Sequence, residues 1–234
     1  MIIFSFFLSL ILIGCSGEQQ MPQKVENRIV FFGDSITELG IKPNGYVSII
    51  KDSLSSLGPH FEIIGAGIGG NKVTDLQNRV TNDVLAKTPD IVVIYIGIND
   101  VWHYAFASRG LSGTNKGVYE LELRSLIKKV HAAGARVILC TPSVIGEKID
   151  GTNEYDTMLD EYSEISRSVA RETGSALCDL RKVFVQYLKA NNPANAEKNI
   201  LTYDGVHLND AGNRFVAQQI IGILDGLGLF FPQR

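Results

Sequence analysis

The chain has 234 residues, of which 45% are hydrophobic and 20% charged, and a net charge of −3 at pH 7. That is ordinary globular composition, with enough length to bury a sizeable core. Lys and Arg are scattered, apart from pairs such as Lys128-Lys129 and Arg181-Lys182, so the clustered positive charge of a nucleic-acid binder is missing.

The first element differs from everything after it. Ile2 to Ile13 is an almost unbroken apolar run, too short to span a bilayer as a helix but suited to a signal-peptide core. It closes with Leu12-Ile13-Gly14-Cys15. A small residue before a cysteine, directly after an apolar core, resembles the lipobox of bacterial lipoproteins. That resemblance implies a signal peptide over 1–14 and lipidation of Cys15 as the first mature residue. No Lys or Arg precedes the apolar run, which departs from the pattern, and a buried N-terminal helix is the alternative. The polar stretch that follows reads as a tether over 15–27, leaving a folded domain over 28–234. The expected location is the bacterial cell envelope, with the chain exported and held to a membrane by its lipid.

Arg28 to Phe32 reads as the first strand, running into Gly33-Asp34-Ser35. Asn44 is placed to cap a helix through Leu57, with Tyr46, Val47, Ile50 and Leu54 at helical spacing and Gly58-Pro59 as its stop. Phe61 to Ile64 is a second short strand, followed by the glycine-rich loop Gly65-Ala66-Gly67-Ile68-Gly69-Gly70-Asn71. A helix is expected over 74–86. Asp90 to Ile96 is the most hydrophobic run after the N-terminus, as a strand covered on both faces should be. It ends in Gly97-Ile98-Asn99-Asp100, and residues 102–117 read as irregular. Further elements are a helix over 118–133, a strand over 135–140, a loop over 143–154, a helix over 155–172, a short strand over 175–178, a helix over 180–190, a polar loop over 191–205 and a last helix from Asp210 to about 227.

Strands and helices alternate throughout, which predicts a parallel sheet with right-handed crossovers and helices on both faces. The expected fold is α/β, a three-layer, flavodoxin-like doubly wound domain whose five-stranded parallel sheet has the order 2-1-3-4-5. Cys140 and Cys178 each close an apolar run and read as buried thiols. Pairing between them is open if their strands are neighbours. No Cys-x-x-Cys or His-x-x-x-His spacing marks a metal site.

Four stretches fall at comparable places in that fold. Ser35 follows the first strand, Gly70 the second and Asn99 the third, all at the carboxyl edge where such sheets bind ligands. Tyr203-Asp204-Gly205-Val206-His207-Leu208 precedes the last helix and can reach the same edge. Together they supply what acyl transfer requires. A serine hydroxyl needs a base to take its proton, and the base needs a carboxylate to fix its tautomer. The tetrahedral intermediate needs hydrogen-bond donors aimed at its oxyanion. Ser35, His207 and Asp204 fit the first three roles. The N–H groups of Ser35 and Gly70 and the side-chain amide of Asn99 fit the last. Each residue also has a structural reading. Ser35-x-x-Glu38 is a capping box, Asp34 braces a turn, Asn99 suits a turn, Asp204-Gly205 is an ordinary turn, and His207 lies close to a helix start.

The four blocks in this order, on this alternation, resemble the SGNH hydrolase (GDSL esterase and lipase) superfamily. The resemblance implies Ser35 as nucleophile, His207 as base, Asp204 as its partner and Ser35, Gly70 and Asn99 as oxyanion donors. It also implies ester hydrolysis without a metal or cofactor. Ile36 stands where the GDSL name has leucine. Gly65 stands where many members carry asparagine, which leaves Gly69 as the alternative to Gly70. Trp102 and His103, just beyond the third block, are expected in the wall of an acyl or sugar pocket, or else in loop packing. His60 and His131 read as surface residues. No Gly-x-Ser-x-Gly elbow of the α/β-hydrolase kind occurs. The expected function is a serine esterase acting on short acyl groups, such as acetyl on a carbohydrate or small ester. A lysophospholipase or thioesterase, and a non-catalytic glycan-binding lipoprotein, are the alternatives.

Overall fold

In a computed structural model, the alternating pattern becomes one sheet flanked by helices, described over residues 27–56 and 61–228. The expected signal peptide, the lipidated Cys15, the tether through residue 26, Gly58-Pro59 and His60 lie outside the described residues. The strands are β1 (Asn27–Gly33), β2 (Phe61–Gly67), β3 (Ile91–Tyr95), β4 (Arg136–Cys140) and β5 (Ala176–Cys178). All four pairings are parallel, in the order β2-β1-β3-β4-β5, as the alternation predicts. β1 and β3 sit inside the sheet, and Ile29 to Phe32 and Ile91 to Ile94 are fully buried. Covering such a strand on both faces is what makes its sequence uniformly apolar.

The α-helices are α1 (Ser35–Gly40), α2 (Tyr46–Ser55), α3 (Val73–Asp83), α4 (Ile98–Trp102), α5 (Lys116–Ala132), α6 (Asp156–Thr173), α7 (Leu180–Asn191) and α8 (Asp210–Gly226). α2 packs against α8, while α3, α5 and α6 pack in a row. A parallel sheet with right-handed crossovers in this strand order puts those two sets on opposite faces. No helix among the described residues is long and apolar enough to cross a membrane.

The structure departs from the sequence expectations where tertiary contacts overrule local signals. Asn27, expected as the last tether residue, opens β1 because it pairs in register with Phe61. Asn44 does not cap α2. It adopts a left-handed backbone with φ 64°, which Asn tolerates, and the Tyr46 N–H donates instead to Asn213 Oδ1 of α8 at 2.9 Å. β2 continues three residues into the expected glycine loop, because Gly65, Ala66 and Gly67 pair with Phe31, Phe32 and Gly33. Gly67 has no room for a side chain: a Cβ would lie 2.2 Å from the Glu38 backbone nitrogen of α1. The stretch expected to be irregular after Trp102 begins with a 3-10 helix, His103–Arg109.

Cys140 and Cys178 face each other in register on β4 and β5. Both are buried free thiols, so the pairing alternative is not realised. Burial pushes the Cys140 thiol well above its ordinary value.

Candidate active site

β1 delivers the chain to the carboxyl edge of the sheet, and Asp34 turns it into α1. The Asp34 carboxyl group, not the Ser35 hydroxyl, caps that helix: its Oδ1 accepts the Ile36 N–H at 2.9 Å. Ser35 is therefore the first helical residue, and the capping-box reading does not hold. Its Oγ lies 2.9 Å from His207 Nε2. Glu38, the other half of the supposed box, accepts the Gly69 N–H at 2.8 Å.

His207 is held from its other side. Its Nδ1 is 2.7 Å from Asp204 Oδ2, while Asp204 Oδ1 accepts the backbone N–H groups of His207 at 2.7 Å and Val206 at 2.9 Å. Burial pushes the Asp204 carboxyl up, but these hydrogen bonds to His207 and Val206 outweigh it and hold the group below the usual carboxylate range. An ionised Asp204 fixes the imidazole tautomer that presents bare Nε2 to Ser35. The His207 side chain is 18% exposed, so the dyad opens to solvent. Two aromatic rings border it. Tyr203 stacks on the imidazole, with centroids 5.7 Å apart and planes 15° apart. Trp102 meets it edge-on at 6.3 Å.

The expected oxyanion donors converge on the same edge. Gly70 has φ +75°, which a Cβ disfavours. A Cβ there would meet nothing within 4 Å, so backbone conformation, not crowding, calls for the glycine. Asn99, on α4 and 4% exposed, donates one Nδ2 hydrogen to Asn71 O at 3.1 Å. Gly69, the alternative donor, lies close to Ser35 but already spends its N–H on Glu38. His103 is buried away in α4's continuation. Its ring is pushed below its ordinary value by burial and by the Lys72 charge, against Asp75. Among the described residues no group of three or more His, Cys, Asp or Glu side chains could hold a metal.

Glu147 is the residue the sequence does not reveal. It sits in the loop after β4, fully buried. Its Oε2 accepts the Ile200 N–H, and its Oε1 those of Leu201 and Thr202, each at 2.7 Å. Beside it, Gly146 N–H donates to Gly205 O at 2.8 Å. The loop carrying Asp204 and His207 is thus pinned to the loop after β4. Tyr203 is also missed, although it directly precedes Asp204. A cavity of about 350 Å³ lies elsewhere, bordered by Val144, Asp156, Asp160, Arg181 and Leu188.

Asp34 gives a pH prediction. Burial pushes its carboxyl up to about 7, against the Ile36 hydrogen bond and with help from nearby Asp100, while Arg79 pulls it down. Oδ2 has no partner. The folded chain therefore keeps a proton that the unfolded chain, with an ordinary carboxylate near 3.8, gives up. The contribution to stability is complete below that lower value and is lost as pH rises through about 7. Asp34→Asn keeps the oxygen that caps α1 but does not titrate. Between pH 4 and pH 8 the parent should lose on the order of 3 kcal/mol more stability than this variant, measured by urea unfolding at both pH values. Parallel pH profiles would refute the proton on Asp34.

The chain matches the GDSL-like lipase/acylhydrolase family over residues 31–215. It is similar to an acetylxylan esterase of Geobacillus stearothermophilus, with 34% identity over 211 residues, covering 83% of this chain and 92% of that protein. Among solved structures, the acetyl xylan esterase AlAXEase superposes with a TM-score of 0.80 at 46% identity, covering 84% of this chain and 99% of the other. An uncharacterized lipoprotein of Bacillus subtilis (strain 168), YqeF, is 26% identical, covering 96% of each chain.

Proposed function

The chain belongs to the GDSL-like lipase/acylhydrolase family and is a carboxylic ester hydrolase, and on that premise we propose that Ser35 is its nucleophile and acetyl groups on carbohydrate its substrate. The observation that carries the residue assignment is the unbroken hydrogen-bond chain from Ser35 Oγ through His207 to Asp204, at 2.9 and 2.7 Å. Nε2 of His207 takes the hydroxyl proton as Oγ attacks the acetyl carbon. The oxyanion is received by the N–H groups of Ser35 and Gly70 and the second Nδ2 hydrogen of Asn99. Collapse expels the sugar hydroxyl, which leaves with the proton from His207. Water, deprotonated by His207, then attacks the acetyl-Ser35 ester and releases acetate. These steps call on no metal or cofactor.

The acetyl-carbohydrate assignment rests on the acetylxylan esterases among the similar proteins and on the open, aromatic-bordered setting of His207. Trp102, with His103 behind it, forms the wall against the sugar or acyl group. The test is hydrolysis of nitrophenyl esters of increasing chain length, followed by acetylated xylo-oligosaccharide. We expect the rate to peak at acetyl and acetylated oligosaccharide to be cleaved. Trp102→Ala should raise KM about tenfold, the loss of one stacked aromatic, and His103→Ala should alter chain-length preference. A peak at long acyl chains would replace this reading with a lysophospholipase or thioesterase. Unchanged kinetics in both variants would remove the pair from the wall.

We place the enzyme at the cell envelope as a lipoprotein. The apolar run Ile2 to Ile13 closed by Gly14-Cys15, and the similarity to a Bacillus lipoprotein, support this. Expression of the full chain in a bacterium should leave it in the membrane fraction, and Cys15→Ala should release it. Equal membrane association of the two would count against the lipid.

A further inference from the structure

We propose that Arg79 is a positioning residue for the oxyanion donors, clasping the ends of two strands and the loop that carries Gly70. The inference rests on the serine-esterase reading above and names a part of that site which lies outside the four motif blocks. Arg79 lies on α3, with a side chain 14% exposed. Its Nη2 donates to Gly33 O at 2.7 Å, at the end of β1 and two residues before Ser35. Its Nη1 donates to Ala66 O at 2.9 Å, near the end of β2. Its Nε donates to Asn71 Oδ1 at 2.7 Å, on the residue that follows Gly70. Asp83, one turn along α3, takes a further Nη1 hydrogen bond at 2.8 Å and neutralises the charge. The guanidinium carbon stands 4.5 Å from the centre of the Phe32 ring.

Each of these contacts leads to a different oxyanion donor. Holding Gly33 O fixes the turn from which the Ser35 N–H emerges. Holding Ala66 O fixes where the glycine loop departs. Asn71 is gripped at both ends, by Arg79 on its side chain and by Asn99 Nδ2 on its backbone oxygen at 3.1 Å. That double grip orients the peptide after Gly70 and commits one hydrogen of the Asn99 amide, which leaves the other for the oxyanion. A planar guanidinium spreads its donors over several acceptors in a fixed fork, and an ammonium group does not. Arg79→Lys should therefore keep the charge and lose the register. Donors misplaced by about an ångström cost on the order of 100-fold in rate.

The experiment compares an aryl acetate with its thionoacetate, whose sulfur is a weak hydrogen-bond acceptor and draws little help from oxyanion donors. In Arg79→Lys we expect kcat for the acetate to fall about 10- to 100-fold with KM within about twofold. The oxo-to-thiono preference should fall by roughly the same factor, because the thiono ester has less to lose. In Arg79→Ala, added guanidinium ion should restore part of the preference. A general loosening of the fold would slow both esters alike, so an unchanged oxo-to-thiono ratio in Arg79→Lys overturns the proposal, as does an unchanged kcat. If the Arg79 variants do not fold, Asn71→Ala decides, since it removes one end of the grip and leaves Arg79 in place: a parental ratio there overturns the proposal and a reduced ratio supports it. Ser35→Ala runs beside them. Activity surviving in Ser35→Ala sinks the serine reading itself. An inactive Ser35→Ala with a parental ratio in the Arg79 or Asn71 variant sinks the clasp alone.

Discussion

Ser35→Ala is expected to lower kcat on an acetyl ester by about 10⁴-fold or more, with the fold intact. In serine hydrolases the nucleophile and its base act as a unit, so removing either forfeits nearly all of the covalent route, and what remains over water comes from oxyanion donors and binding. Here the loss should not come from structure. Asp34 caps α1 in place of Ser35, and the hydroxyl's partner is His207. The variant should therefore melt within a few degrees of the parent. Mass spectrometry of the parent quenched early in turnover of a slow acetyl ester should find the acetyl group on the peptide carrying Ser35. The same adduct on another serine, or turnover that survives the substitution in a well-folded variant, would mean the nucleophile lies elsewhere.

Glu147→Ala should give the largest loss of stability of any single substitution considered, about 3–5 kcal/mol. Three backbone N–H groups, two of them buried, would lose a charged acceptor at once, and each hydrogen bond to a charged group carries about 1.5–3 kcal/mol before loop relaxation returns some of it. Glu147→Gln keeps one acceptor oxygen, loses the charge and turns an NH₂ toward N–H groups, so it should fall between parent and Ala. Urea unfolding followed by far-UV circular dichroism measures both. The folded fraction of either variant should also show reduced kcat, because the pinned loop is the one that presents Asp204 and His207. A loss below 1 kcal/mol for Glu147→Ala would mean that water replaces the carboxylate without cost, and the loop would need another anchor.

The fold was legible because its signals are local. Uniformly apolar runs at 29–32 and 91–96 can hardly be anything but interior strands, and their alternation with amphipathic stretches leaves few topologies open. The Ser35, Asn99, Asp204 and His207 blocks were legible for a related reason: each is short and sits at an element end. Asp204 and His207 even fall within one turn, so their mutual hydrogen bond follows from spacing. The supports were not legible. Glu147 stands in an ordinary polar loop, and the N–H groups it binds are more than fifty residues away. Arg79 looks like any arginine on an amphipathic helix, and three of its four acceptors are backbone oxygens or a side chain on other elements. Sequence marks the groups proposed to react more readily than the groups that hold them still, because holding is done by partners brought together by the whole fold. The Asn44 cap failed on the same ground, since the group that satisfies Tyr46 comes from α8.

The contact between Ser35 and His207 joins residues 172 apart in the chain, and this gives activity a meaning beyond chemistry. Asp204 and His207 belong to one short segment, but Ser35 and His207 meet only when segments from opposite halves of the chain have been brought to the same sheet edge. A ribosome releasing the chain from its N-terminus therefore produces Ser35 early and completes the machinery last, once residues past 207 have emerged. If Ser35 and His207 act as proposed, a partial product lacks its base until then, and a chain threaded through a membrane unfolded would be equally inert. In refolding, recovery of turnover should trail recovery of helix signal, since long-range closures come late. Esterase activity thus serves as a built-in gauge of finished folding.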